Sequence, residues 1–110
     1  MVRVLLDEDV DVRLRLKFSP EFEVETVTYR GWKGKKNGEL LRAAAEHFDV
    51  FVTVDRNLPY QQDLTRYSLG VVVLRPRRQA LEDLAELVPE VERVLPSLMP
   101  GRFVEIGAQT

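Results

Sequence analysis

Two short apolar runs in this chain finish on carboxylates: VRVLL leads into Asp7, Glu8 and Asp9, and VFVTV leads into Asp55. Carboxylates are hard oxygen donors and proton carriers, so several delivered to one place can hold a cation or move a proton. Glu39 adds a third source, because it opens a leucine- and alanine-rich segment with helical spacing. The chain has no cysteine and a single histidine, His47, which leaves an oxygen-only donor set of Asp7, Asp9, Glu39 and Asp55. Such a set suits Mg²⁺ or Mn²⁺, not zinc. A cation of that kind polarises a phosphoryl oxygen and lowers the pKa of its bound water, while nearby basic and amide groups hold a polyanionic backbone. Lys35, Lys36, Asn37, Arg56, Asn57 and Arg75 are the candidates for those contacts, and Trp32 for stacking on a base. Phosphodiester hydrolysis uses both halves: Asp7 and Asp55 as ligands, Glu39 as ligand or water-orienting base, Asp9 as an added ligand.

These residues need elements that bring them together. Val2 to Leu6, 50 to 54 and 70 to 74 are short, mostly β-branched runs with little alternation, as interior strands of a parallel sheet read. FEVETVTY, after Ser19 and Pro20, alternates as a partly exposed edge strand does, and FVEIG near the end can add a last strand. GELLRAAAEHF carries Leu40, Leu41, Ala44, Ala45 and Phe48 at helical spacing. NLPYQQDLT starts a short helix, with Asn57 as cap and Pro59 in the first turn. From Gln79 onward Leu81, Leu84, Val88, Val91 and Leu95 predict a helix that Pro89 kinks or splits. Residues 10–18 are ambiguous, alternating like a strand. Wound as a helix, which a parallel crossover requires, Val10, Leu14 and Phe18 form one stripe and Val12 with Leu16 an opposite one. That second stripe is a candidate dimer surface.

Strands alternating with helices predict an α/β fold: a three-layer α/β/α sandwich around a mostly parallel sheet of about five strands. In such a sheet every strand-to-helix junction lies at the carboxyl edge, where ligands bind. The acids named above gather at those junctions with Arg30, Lys33, Lys35, Lys36, Arg56, Arg75, Arg77 and Arg78, and the opposite junctions hold little beyond Ser19 to Glu21, Asp49, Ser68 to Gly70 and Pro96 to Gly101. Plainer roles compete with this reading. Asp9, Glu39 and Asn57 stand where helix caps and first-turn acids stand, Asp11 reads as solvated helix surface, and Trp32 can plug the end of a core. Glu8 faces away from Asp7 if the strand persists.

With 110 residues, 45% of them hydrophobic, the chain can bury one sizeable core and is read as a single domain over 1–110. No apolar run approaches the roughly 18 residues of a membrane span, so the expectation is a cytoplasmic protein with no membrane partner. The net charge of −2 excludes a uniformly basic surface, yet the basic residues are grouped: Arg13, Arg15 and Lys17; Arg30, Lys33, Lys35 and Lys36; Arg75, Arg77 and Arg78.

The series LLDED at 5–9, GWKGKKNGELL at 31–41 and FDVFVTVDRNLPYQQDL at 48–64 resembles the small PIN-like proteins of the DUF5615 group, related to the Mut7-C and PIN nuclease-like families. The resemblance runs from Val2 to about Leu74. It implies a PIN-like fold, descent from metal-dependent ribonucleases, metal binding at Asp7, Glu39 and Asp55, and roles as the toxin of a toxin–antitoxin pair, with RNA as substrate and an antitoxin protein as partner. The chain departs from the pattern at Asn37, where many relatives carry an acid, and at Asp9, where the usual residue is not acidic. Two other readings stand beside a Mg²⁺- or Mn²⁺-dependent ribonuclease. One is a catalytically silent interaction module that binds a partner through the Val12 and Leu16 stripe or the last helix. The other is a receiver-like phosphoacceptor using Asp55, which would want a hydroxyl after the fourth strand and a lysine after the fifth.

Overall fold

The computed structural model describes residues 1–107 and builds them around one five-stranded sheet. The strands are β1 (Val2–Leu6), β2 (Phe22–Thr26), β3 (Val50–Thr53), β4 (Gly70–Arg75) and β5 (Phe103–Gly107). All four pairings are parallel, in the order β2-β1-β3-β4-β5. Four α-helices lie between them: α1 (Asn37–His47), α2 (Leu58–Gln61), α3 (Leu81–Ala85) and α4 (Val88–Val94). The α/β class and the five strands are as the sequence predicts, and the sheet is parallel throughout.

Alternate residues of the interior strands feed two apolar clusters, one on each face of the sheet. Val4, Leu6, Val50, Val52, Val72 and Leu74 meet Leu14, Leu84, Val88, Val91 and Leu95 on one face. Leu5, Phe51, Val71 and Val73 meet Leu40, Leu41, Ala44, Leu58 and Leu64 on the other. Burial on both faces is why these strands read as unbroken apolar runs. Hydrophobic area removed from water on both sides supplies the main force holding the helices to the sheet.

The ambiguous stretch at 10–18 is a 3₁₀ helix, Val12–Lys17. Val10, Leu14 and Phe18 are buried, while Val12 and Leu16 are 46% and 70% exposed, so the two predicted sets differ in burial, although at three residues per turn they do not align as stripes. Asp11 is a cap, correcting its reading as plain surface: its carboxylate accepts from the Arg13 backbone N–H at 2.9 Å and from the Arg13 guanidinium. Pro89 does split the late helix, sitting in the first turn of α4, where a missing N–H costs little.

The crossovers explain where the site forms. From β1 the chain leaves toward β2, whereas from the adjacent β3 it leaves toward β4, so a crevice opens between the ends of β1 and β3. The fourth crossover is unusual. The β3-to-β4 and β4-to-β5 connections step in the same direction, yet the first packs on the α1 face and the second, through α3 and α4, on the opposite one. Those two connections therefore differ in hand, against the strong right-handed preference of parallel crossovers. The reversal covers a face that would otherwise have only the short 3₁₀ helix over it.

Candidate active site at the carboxyl edge

Asp7 follows β1 directly, and its N–H still donates to Val52 O of β3 at 2.8 Å, which fixes the residue against the neighbouring strand end. Its side chain is buried, with Oδ1 accepting from Glu8 N at 2.8 Å and Oδ2 from the Thr53 hydroxyl at 2.8 Å. Asp9 comes back over the same point: its Oδ2 lies 3.2 Å from Thr53 Oγ1, and its Oδ1 accepts from Val54 N at 3.4 Å. Asp55 donates its N–H to Thr53 Oγ1 at 3.0 Å and uses Oδ1 to accept from Asn57 N at 3.0 Å. The carboxylates of Asp7 and Asp9 and the backbone N–H of Asp55, from two strand ends, thus gather around one buried hydroxyl.

The proton count at Thr53 is informative. A hydroxyl has one proton and two lone pairs. The proton serves Asp7 and one lone pair takes the Asp55 N–H, so Asp9 faces the remaining lone pair. That contact is favourable only if Asp9 itself carries a proton or a cation intervenes. The electrostatics agree. Although Asp9 as a residue is open to solvent, its carboxylate is turned inward, and loss of hydration followed by the negative charge of Asp7 pushes its pKa up to about 6. Burial likewise raises Asp7, with the charges of Glu8 and Asp55 adding to it and the bonds from Thr53 and Glu8 N opposing it. Among the described residues no lysine or arginine forms an ion pair with Asp7, Asp9 or Asp55.

The other predicted residues are distributed around this crevice. Glu39 stands exposed in the first turn of α1, and among the described residues no hydrogen bond joins it to the three aspartates. β1 ends at Leu6, short of Glu8, whose carboxylate accepts from Gly34 N at 3.0 Å. That bond ties the glycine loop to the end of β1. The loop turns at Gly31 and Gly34, whose φ angles of 75° and 89° suit glycine, and it carries Lys33, Lys35 and Lys36 exposed, ahead of the half-buried Asn37. Arg56 and Asn57 are exposed in the turn after Asp55, and Arg75 ends β4, also exposed.

Two expectations change. Asn57 occupies the cap position of α2 but makes no side-chain cap bond, because its backbone is already helical at φ −90°, ψ −14°. The turn is tied by the Asp55 carboxylate instead. The Trp32 ring, half-buried, packs edge-on to Phe48 with centroids 6.3 Å apart and lies beside His47 at the far end of α1. Arg30 stacks over both Trp32 and Phe48, at 5.4 Å and 4.9 Å. This is the placement of a core plug.

Thr53 is the residue sequence reasoning passed over. Its signal was a lone hydroxyl in the buried run VFVTV, two residues before Asp55. The donor set is oxygen only, and among the described residues no basic group is paired with it, a chemistry that suits Mg²⁺ or Mn²⁺ better than zinc. Among the described residues no group of three acids or histidines forms a ready-made metal cage. Among the described residues no helix is long and apolar enough to cross a membrane. Compared with protein-family models, with curated proteins and with solved structures, the chain has no match.

Proposed function

We propose that this chain is a divalent-cation-dependent ribonuclease of PIN-like type that hydrolyses RNA phosphodiesters at the crevice between β1 and β3. The observation that carries the reading is the meeting of the Asp7 and Asp9 carboxylates at the Thr53 hydroxyl, which also accepts from the Asp55 N–H, at the carboxyl edge, with no basic side chain paired to these acids among the described residues. Asp7, Asp9 and Asp55 would hold Mg²⁺ or Mn²⁺, which when bound supplies charge for the phosphoryl oxygens and a more acidic water. Glu39, in the first turn of α1 at the same edge, keeps the role of ligand or water-orienting base. Thr53 holds Asp7 in position. Lys35 and Lys36, on the loop that Glu8 anchors, and Arg56 stand where a polyanionic backbone would need countercharge. A cytoplasmic toxin paired with an antitoxin protein belongs to the same proposal and rests on the motif resemblance alone.

The test is cleavage of single-stranded RNA with Mg²⁺ or Mn²⁺ against EDTA. Asp7→Asn is expected to lower the rate on the order of a hundredfold or more. Equal rates for wild type and Asp7→Asn would remove the catalytic claim.

One observation favours a second reading, a catalytically silent interaction module: Val12 and Leu16 both stand exposed on the 3₁₀ helix. A stable complex through those side chains, by self-association or with an antitoxin, together with no measurable affinity for either cation, would replace the enzyme reading. The receiver-like alternative has less support, since β4 ends in Arg75 and Pro76, not in a hydroxyl residue.

A further inference from the structure

Beyond Val54 the carboxyl edge opens into a cleft of about 610 Å³ across the ends of β3, β4 and β5. Arg56, Arg75, Arg77 and Arg78 line it, against one acid, Glu105, among the described residues. Four guanidiniums around one concavity are unusual for a chain whose net charge is −2. Their states differ in a useful way. Among the described residues Arg56 has no carboxylate partner. Arg75 meets Glu105 at 3.3 Å in a pair with both side chains substantially exposed, a contact of little energetic weight that an incoming anion can displace. Arg78 gives its Nε to the well-buried Asp83 at 3.0 Å, which orients the guanidinium and leaves its two Nη groups to donate elsewhere. A planar fork of donors matches the oxygens of a phosphate group. The volume exceeds what a bare anion fills and lies in the range of small-molecule sites, and Val54, Leu74 and Pro76 provide an apolar floor for a sugar or base.

We infer that this arginine cleft is a phosphate-ester site of nucleotide size, taking a nucleotide unit that lies next to the acidic crevice. As the subsite of a polynucleotide substrate it rests on the nuclease reading; as a binding site it can be tested without it. The cleft adjoins the aspartates through Val54, whose N–H reaches Asp9, so a chain seated on the arginines is led toward them.

The experiment measures binding of a fluorescein-labelled single-stranded RNA of about a dozen nucleotides to the full chain in EDTA, with adenosine 5′-monophosphate and inorganic phosphate as competitors. Arg56→Gln combined with Arg75→Gln is expected to weaken binding tenfold or more and to flatten the salt dependence by about 1.4, two contacts at about 0.7 each. Arg93→Gln, on α4, is expected to change neither. The mononucleotide should displace the RNA at concentrations where inorganic phosphate does not. Unchanged affinity in the double variant, with unchanged melting temperature as the folding control, overturns the proposal. So does displacement by inorganic phosphate as effective as by the mononucleotide, which leaves an adventitious anion site only. Because the measurement is made without cations and repeats in Asp7→Asn, binding without cleavage sinks the nuclease reading alone, and cleavage indifferent to the arginines sinks the cleft alone.

Discussion

Thr53 is fully buried and its hydroxyl answers to Asp7, Asp9 and the Asp55 N–H at once, so removing it should cost more than one hydrogen bond. Thr53→Val keeps the shape and leaves a carboxylate and an N–H without their partner; a loss of about 2 kcal/mol is expected in urea unfolding at neutral pH. Asp9→Asn should act in the opposite direction. The folded state holds the Asp9 pKa at about 6 against an ordinary 3.8, so it binds this proton more tightly than the unfolded chain does. Well below pH 3.8 both states are protonated and nothing is lost; between 3.8 and about 6 folding loses stability as pH rises, and above that the loss is constant. Asn is neutral throughout and can donate to the free lone pair of Thr53. Screening at this solvent-open position reduces the full shift, so the variant should be more stable than wild type by about 1 kcal/mol near pH 7.5, with the gap closing toward pH 4. A gap that is constant or widens toward acid would show that Asp9 is not the strained group. Asp7 and Asp55 were legible from sequence because a polar residue ending a buried parallel strand has one place to go. Thr53 was not, since a threonine inside such a run passes as an ordinary β-branched residue. Glu39 was less legible for a related reason: the start of a helix fixes the edge of the sheet but not the direction of an exposed side chain.

Among the elements, the 3₁₀ helix offers the sharpest contrast between neighbouring positions. Leu14 is completely buried against the sheet and α3, whereas Leu16 is 70% exposed. Leu14→Ala should cost about 2–5 kcal/mol and Leu16→Ala less than about 0.5. A large, concentration-dependent effect of Leu16→Ala would mean this position is covered by a partner in solution. The glycine loop invites a second comparison. A Cβ at Gly34 would meet nothing within 4 Å, so Gly34→Ala should act through its φ of 89° alone and cost about 1 kcal/mol. Glu8→Gln, which weakens the bond to Gly34 N without straining the backbone, should cost less in urea unfolding while still loosening the loop, read as faster amide exchange over 31–36. The elements themselves were largely readable. Apolar runs marked the strands, the 40–48 spacing marked α1, and Pro89 marked the break between α3 and α4. The choice at 10–18 was not, because alternation every two residues also satisfies a 3₁₀ helix that buries only Leu14 within its span. There the deciding factor is the short distance from β1 to the adjacent parallel β2.

At the scale of the whole molecule, strand order and the reversed hand of the last crossover had no local signal. They follow from which face still lacks cover once α1 and α2 occupy the other, a property of the assembled sheet. That order makes β1 and β3 neighbours with divergent exits, and so turns two acids 48 positions apart in sequence, Asp7 and Asp55, into partners in one crevice. The folded state therefore carries a repulsion that the unfolded chain does not, and a cation bound there acts as a ligand of the native state only. Binding free energy then appears as folding free energy: at a hundredfold excess over its dissociation constant Mg²⁺ or Mn²⁺ should add about 2.7 kcal/mol, a rise in melting temperature of roughly 10 °C for a domain of this size. Sodium chloride at matched ionic strength should give much less. Asp7→Asn with Asp55→Asn should melt at or above the wild-type temperature without cation and gain almost nothing from it. Asp9→Asn should start higher and gain less, because the same crowding of charge that destabilises the empty crevice is what a cation relieves. A cation response of equal size in the double variant would place the effect elsewhere on the surface and remove the acidic crevice as its cause.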